Sequence, residues 1–259
     1  MPGAIAYEQL LALDVYQMML VMARLGVMIM MIPGLSAPYV STRLRLGLAM
    51  AFSVLVLPLV APLLPPQPET VPRMFLLVAG EITVGVFIGV VLQILMGTLH
   101  VAGTIIGFTS GMANAMTFDP VSEQQSALMV GFLANIAILL LFATDLHHLV
   151  FQAAVDSYTL FVPGKPLLTE DIMRLSGDVA DRGFMMGVQM ATPFLLGSLI
   201  FQSGLGLMAR LMLQMNVFFV ALPLHLLLAF TLLTLIIPPV MMVFLTFFRD
   251  GLMVFLAPG

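Results

Sequence analysis

Few residues in this sequence could do chemistry, and they are thinly spread through apolar runs. Ser110 in FTSGM, with His147 or His148 as base, has the residue types of a serine hydrolase. Its flanks do not fit, because a nucleophile elbow needs glycine two positions before and two after the serine, where this chain has Phe108 and Met112. His147 and His148 are adjacent, which points their rings about 100° apart on a helix, unlike the four-residue spacing that makes a metal pair. One of them is read as an interfacial or helix-end residue. His100 and His225 have no partner at ligand spacing and are read as packing residues. The absence of cysteine rules out a thiolate metal site and a disulfide framework. No enzyme, metal or cofactor is expected.

The remaining candidates are polar groups inside apolar stretches. Glu81 is costly in hydrocarbon unless it is paired, protonated or wetted, which makes it a functional candidate, although its place near the start of a run also suits an interface. Asp14 and Arg24 raise the same question. From Glu81 the residues at four-residue steps are Gly85, Gly89, Gln93 and Gly97, a ridge of small and polar side chains that lets another backbone approach. Gly103, Gly107 and Gly111 repeat the step. Spacing alone leaves open whether the ridge packs inside this chain, against another subunit or around a pore. Arg210, Gln214 and Asn216 form a second polar cluster in GLMARLMLQMNVFF, with Arg210 and Gln214 one turn apart.

The elements that must position these residues are membrane helices. The chain is 259 residues long, 61% hydrophobic and 8% charged, roughly a third of the charged fraction of a soluble domain. Its mean hydropathy is +1.13. Apolar runs near the ~20 residues of a helical span, without the alternation of a β-barrel, predict an all-α polytopic membrane protein with kinked helices and hairpins. A formal charge of -4 gives no reason to expect nucleic acid. The N-terminal stretch MPGAIAYEQLLALDVYQ lacks a positive n-region and a cleavage site, so the first run is expected to remain as a span.

Six runs are expected at about 10–32, 44–64, 74–106, 127–150, 183–215 and 217–247, within a single helical membrane domain over 1–259. The third exceeds one perpendicular span. Pro193, Pro223, Pro238 and Pro239 should kink or end the later helices, and broken helices need protein neighbours or a watery cavity. The water-friendly segment 156–183 is expected to hold an amphipathic surface helix starting at Thr169, with Glu170 and Asp171 in its first turn, Ile172, Leu175 and Val179 on one face and Arg174, Asp178 and Arg182 on another. Arg43 and Arg45 draw one connection toward the cytoplasm, while Lys165, Arg174 and Arg182 draw in a connection on the opposite side, so a simple alternation of six spans conflicts with the charge rule.

Between two long apolar runs lies GFTSGMANAMTFDP, Gly107 to Pro120, a connection of small residues, amides and hydroxyls with a single Asp. Gly107 and Gly111 permit unusual backbone angles, and Met112 and Met116 are flexible apolar filling.

Taken in order, RLGVMIMMIPG, RLRLGLAM, GEITVGVFIG, AGTIIGFTSGMANAMTFDP, HHLVFQAAVDSYTLFVPG and GLMARLMLQMNVFFVALPL make the chain resemble, over nearly its whole length, the FliR family of flagellar type III export-gate proteins and their injectisome relatives. The resemblance implies a non-enzymatic subunit that joins FliP-like and FliQ-like membrane partners, with an FlhB-like export switch protein, in a helical cone through which unfolded export substrates pass. It implies the bacterial inner membrane and the flagellar basal body, with membrane lipid around the assembly. It further implies that the loop containing Gly107, Phe108, Ser110, Gly111, Met112, Asn114, Met116, Phe118, Asp119 and Pro120 projects into the channel as a plug. The family commonly has Pro where this chain has Leu213, so the roles of Arg210, Gln214 and Asn216 transfer less securely. The competing readings are an export-gate subunit of an injectisome type III secretion system and, behind it, an independent transporter that binds a small solute at a residue such as Glu81.

Overall fold

A computed structural model describes residues 2–110, 124–166, 169–211 and 217–256. The described elements are helices: α1 (Pro2–Met31), α2 (Thr42–Val60) running into a short 3-10 turn (Ala61–Leu63), α3 (Val71–Thr109), α4 (Gln124–Ala143), α5 (Leu146–Leu160), α6 (Thr169–Leu211) and α7 (Val217–Met253). This is the polytopic helical membrane protein that the composition predicts. Four helices are long and apolar enough to cross a bilayer, and α4 with α5 adds a fifth candidate if the two form one broken span. At 39 residues, α3 is about 58 Å long, roughly twice the ~30 Å of a hydrocarbon core.

Contacts gather the chain into two units. The first comprises Met1–Ile94, Asp145–Val179 and Arg249–Gly259, and the second Leu95–Thr144 and Ala180–Phe248. In the first unit α1 turns Leu20, Val21, Leu25 and Met28 inward at helical spacing. The connection to α2 turns at Gly34, whose φ of 88° suits glycine. Ser41 then caps α2 by accepting a hydrogen bond from the Leu44 N–H. Arg45 donates back to the carbonyls of Ala37 and Val40, each at 2.8 Å. One of the two arginines counted for this connection therefore binds its own loop. Deeper in the unit, Phe87 meets Phe161 and Phe255 edge to face, each at 5.7 Å.

The second unit is drawn together by glycine. A Cβ on Gly103 of α3 would lie 2.8 Å from the Cα of Val130 in α4, and one on Gly187 of α6 would lie 2.7 Å from the Thr98 carbonyl oxygen of α3. On Gly197 it would meet Leu232 of α7 at 2.8 Å. His225 stacks on Phe201 at 4.7 Å, in keeping with a packing role.

Three boundaries differ from the sequence expectation. The run 127–150 is divided at Thr144 and Asp145, where Asp145 takes φ 59°. The amphipathic segment begins as expected at Thr169 and exposes Arg174, Asp178 and Arg182, but it continues without a break through Gly183 into the next apolar run as one 43-residue helix. Pro193 lies inside α6, and Pro223, Pro238 and Pro239 lie inside α7, so none of them ends a helix.

Candidate functional site

The charged residue that the sequence leaves stranded on α1 turns out to be the centre of the first unit. Arg24 is fully buried and Glu81 is 3% exposed. Arg24 Nε donates to Glu81 Oε2 at 2.7 Å and Nη2 donates to Oε1 at 3.2 Å, a bidentate fork that links α1 to α3. Nη2 also donates to the Phe161 carbonyl at 2.8 Å, while Nη1 faces the Ser157 carbonyl at 3.0 Å and the Ser157 hydroxyl at 3.3 Å. Each of the five guanidinium N–H groups thus has an acceptor. The Tyr158 ring covers the guanidinium with 4.0 Å between Cζ and the ring centroid.

The position explains the chemistry. Ser157 lies in the last turn of α5 and Phe161 is its C-cap. The last carbonyls of a helix are short of donors and carry the negative end of its dipole; the Ser157 carbonyl accepts from the Phe161 N–H at 2.8 Å and has a second lone pair for Arg24. Arg24 supplies both the donors and the positive charge, and Glu81 balances that charge. An arginine suits this role better than a lysine, because a planar fork can serve a carboxylate and two carbonyls at once.

The glycine ridge continues this contact. A side chain on Gly85 would collide with the Arg24 carbonyl, and one on Gly89 would lie 2.6 Å from Met31 Sδ. Gln93 Nε2 donates to the Met31 carbonyl at 2.6 Å and faces the Ser36 hydroxyl at 3.4 Å. From Glu81 to Gln93 the ridge therefore packs on α1 and its following turn within this chain. Gly97 does not join it, since a Cβ there would meet nothing within 4 Å. Glu81 is engaged by Arg24 on both carboxylate oxygens and leaves no open carboxylate for a solute.

The loop expected at Gly107 to Pro120 starts later than its composition suggests. Gly107 and Phe108 belong to the last turn of α3, which ends at Thr109. The Ser110 N–H donates to the Ile106 carbonyl at 2.9 Å, and its buried hydroxyl donates to the Gly107 carbonyl at 3.0 Å. That hydroxyl closes a helix end; Phe108 is 58% exposed. Gly111, Met112, Asn114, Met116, Phe118, Asp119 and Pro120 lie outside the described residues, as do Leu213, Gln214 and Asn216. Arg210 is exposed in the last turn of α6, where a cation suits the dipole.

The pieces of the Arg24 knot come from three of the stretches on which the family resemblance rests: RLGVMIMMIPG, GEITVGVFIG and HHLVFQAAVDSYTLFVPG. A model of the bacterial export proteins, family 1, matches residues 15–251, a span that holds the whole knot. The chain belongs to this family. It is 35% identical over 244 residues to the flagellar biosynthetic protein FliR of Caulobacter vibrioides, covering 94% of this chain and 97% of that one. FliR of Pectobacterium carotovorum is 30% identical over 203 residues, covering 77% and 76%. FliR of Bacillus subtilis is 27% identical over 172 residues, covering 65% and 66%. The names of these bacterial export proteins describe flagellar biosynthesis and no catalysed reaction.

Sequence reasoning singled out both Arg24 and Glu81 but not their pairing, and it missed Ser157 and Phe161. The sequence offered one signal, an arginine and a carboxylate each set within an apolar stretch of a helix, since two such charges are most cheaply buried together.

Proposed function

We propose that this chain is a non-enzymatic gate subunit of the flagellar type III protein export apparatus, sited in the bacterial inner membrane at the flagellar basal body. The observation that carries the reading is its near full-length relation to FliR of Caulobacter vibrioides, 97% of which it covers. In this reading FliP-like and FliQ-like subunits and an FlhB-like switch protein share the assembly, and unfolded export substrates pass through it. The broad apolar surfaces left on the chain support such an assembly. Leu195, Leu196, Leu199 and Ile200 of α6 and Leu224 and Leu227 of α7 are among the large side chains left exposed, and such a surface needs lipid or protein cover.

The experiment is deletion of the gene combined with purification of the tagged protein in detergent. Loss of swimming together with a stoichiometric complex containing two small membrane proteins is the expected result. Normal swimming, or a monodisperse monomer or homodimer that transports a solute in liposomes, contradicts it.

Within this reading, residues from Ser110 onward act as the plug. Removing Ser110–Ala115 should leave the complex assembled, because a change in loop length alters closure entropy only modestly. The assembled complex should then leak ions, measured as raised membrane conductance. A membrane as tight as wild type would make the segment an ordinary connector.

A further inference from the structure

The break between α4 and α5 gathers three metal-binding side chains. Asp145 is the one non-glycine residue with positive φ among the described residues, at 59° with ψ 14°, in the left-handed region that Asp tolerates better than most. It occupies the N-cap position of α5, yet its side chain makes no capping hydrogen bond. The carboxylate instead turns toward the first turn of the helix, where Oδ1 lies 3.6 Å from His148 Nδ1. The rings of His147 and His148 are 4.1 Å apart between centroids and tilted by 36°. One donor atom from each of the three residues lies within 4.8 Å of the others.

Adjacent histidines on a helix make a poor pair by themselves, and the difference here is the third group. The left-handed residue folds the chain back so that a carboxylate faces both imidazoles. His147 is held on its other side by the edge of Phe151 at 6.5 Å between centroids, and Phe151 in turn packs against Phe52 of α2 at 4.9 Å. Asp145 and His148 have side chains 75% and 70% exposed, free to change rotamer. Bonds of about 2.0–2.1 Å in a tetrahedral site put neighbouring donors about 3.3 Å apart, so small side-chain rotations close the present arrangement.

We propose that Asp145, His147 and His148 form a site for one borderline divalent transition ion of the Zn2+ type, with two imidazoles and one carboxylate as ligands and a remaining position open to water. Mg2+ and Ca2+ seek six or more oxygen donors and find one carboxylate here. The nitrogen-rich set favours Zn2+, Ni2+ or Cu2+. The positive end of the α5 dipole opposes a cation, which keeps the affinity below that of a structural zinc centre. A bound ion would tie Asp145 to the first turn of α5 and fix the backbone at the break.

The test uses the untagged full chain in detergent, stripped with chelator and then titrated with Zn2+ by calorimetry and with Co2+ by visible absorption. One ion per chain is expected, together with the strong d–d bands of low-symmetry four-coordinate Co2+. Asp145→Asn and His148→Asn should each weaken binding by at least about tenfold, and the His147→Gln/His148→Gln double variant should abolish it. Circular dichroism checks that these exposed substitutions leave the helix content unchanged. Absence of binding at micromolar free ion overturns the proposal, as does binding that survives the double variant, which would put the ion elsewhere.

Discussion

Close glycine contacts occur in both units of this molecule, at Gly85 and Gly89 in the first and at Gly103, Gly187 and Gly197 in the second, and the first adds a buried ion pair. In the first, a buried ion pair and five hydrogen bonds from one arginine join α1, α3 and α5. In the second, no buried ion pair joins helices among the described residues, and Gly103, Gly187 and Gly197 bring backbones against their neighbours. The difference lies in how each arrangement fails. A buried charge pair contributes little net stability against an apolar substitute, but it penalises every wrong arrangement heavily, because a lone charge in an apolar interior costs several kcal/mol. Glycine contacts gain dispersion energy over a broad surface and tolerate sliding better. The first unit is therefore specified by its charges as well as its shape, and the second by its shape.

The largest effect should come from Arg24→Ala, which removes the arginine donors of Glu81 and of the Ser157 and Phe161 carbonyls and should cost about 3–5 kcal/mol. Hydrogen exchange should rise first in α1 and α5, and less in α4. Equal loosening of both units would break the comparison. Next in size is Gly187→Leu, which sets a branched side chain against the Thr98 carbonyl and Val101. Overpacking of this kind costs about 1–3 kcal/mol or more, and the loosening should centre on α4 and the later part of α6, the reverse of the arginine variant.

Replacing both charges, as Arg24→Met with Glu81→Met, should be milder than Arg24→Ala alone, since no unpaired charge remains and the Ser157 carbonyl still accepts from the Phe161 N–H at 2.8 Å. A double-mutant cycle on thermal midpoints measures the difference. If the double variant is as damaged as the single one, the α5 carbonyls matter more than charge balance. The smallest effect is reserved for Gly97→Ala, where a Cβ meets open space. It should be neutral or stabilise by up to about 1 kcal/mol through helix propensity, with unchanged exchange in both units.

Gly97 also marks where the sequence stops being legible. Four residues advance a helix by about 400°, so each step along the ridge drifts about 40°, and by Gly97 the pattern stands about 160° from Glu81. Gly85 and Gly89 lie against α1, but the same four-residue spacing carries the pattern off that contact by Gly97. Helical runs and amphipathic faces were readable because they depend on local periodicity, as with Ile172, Leu175 and Val179 on α6, whereas the break at Asp145 that divides the run 127–150 was not. The Arg24 partners were not, since Glu81 is 57 residues away and Ser157 is 133 away. The continuity of α6 through Gly183 was hidden for a related reason. A shift from polar to apolar composition looks like an element boundary, whereas a helix needs only a change in what surrounds it.

The sequence separations in the Arg24 knot also set a timetable for biogenesis. Arg24 leaves the ribosome 57 residues before Glu81 and 137 before Phe161. At about 5–20 residues per second, the arginine waits about 3–11 s for its carboxylate and about 7–27 s for its last carbonyl. Through that interval α1 is an apolar helix with an uncompensated charge, a poor candidate for release into lipid. The Arg24 contacts of α1 can consequently close only after α3 and α5 have been made, although α1 is made before either.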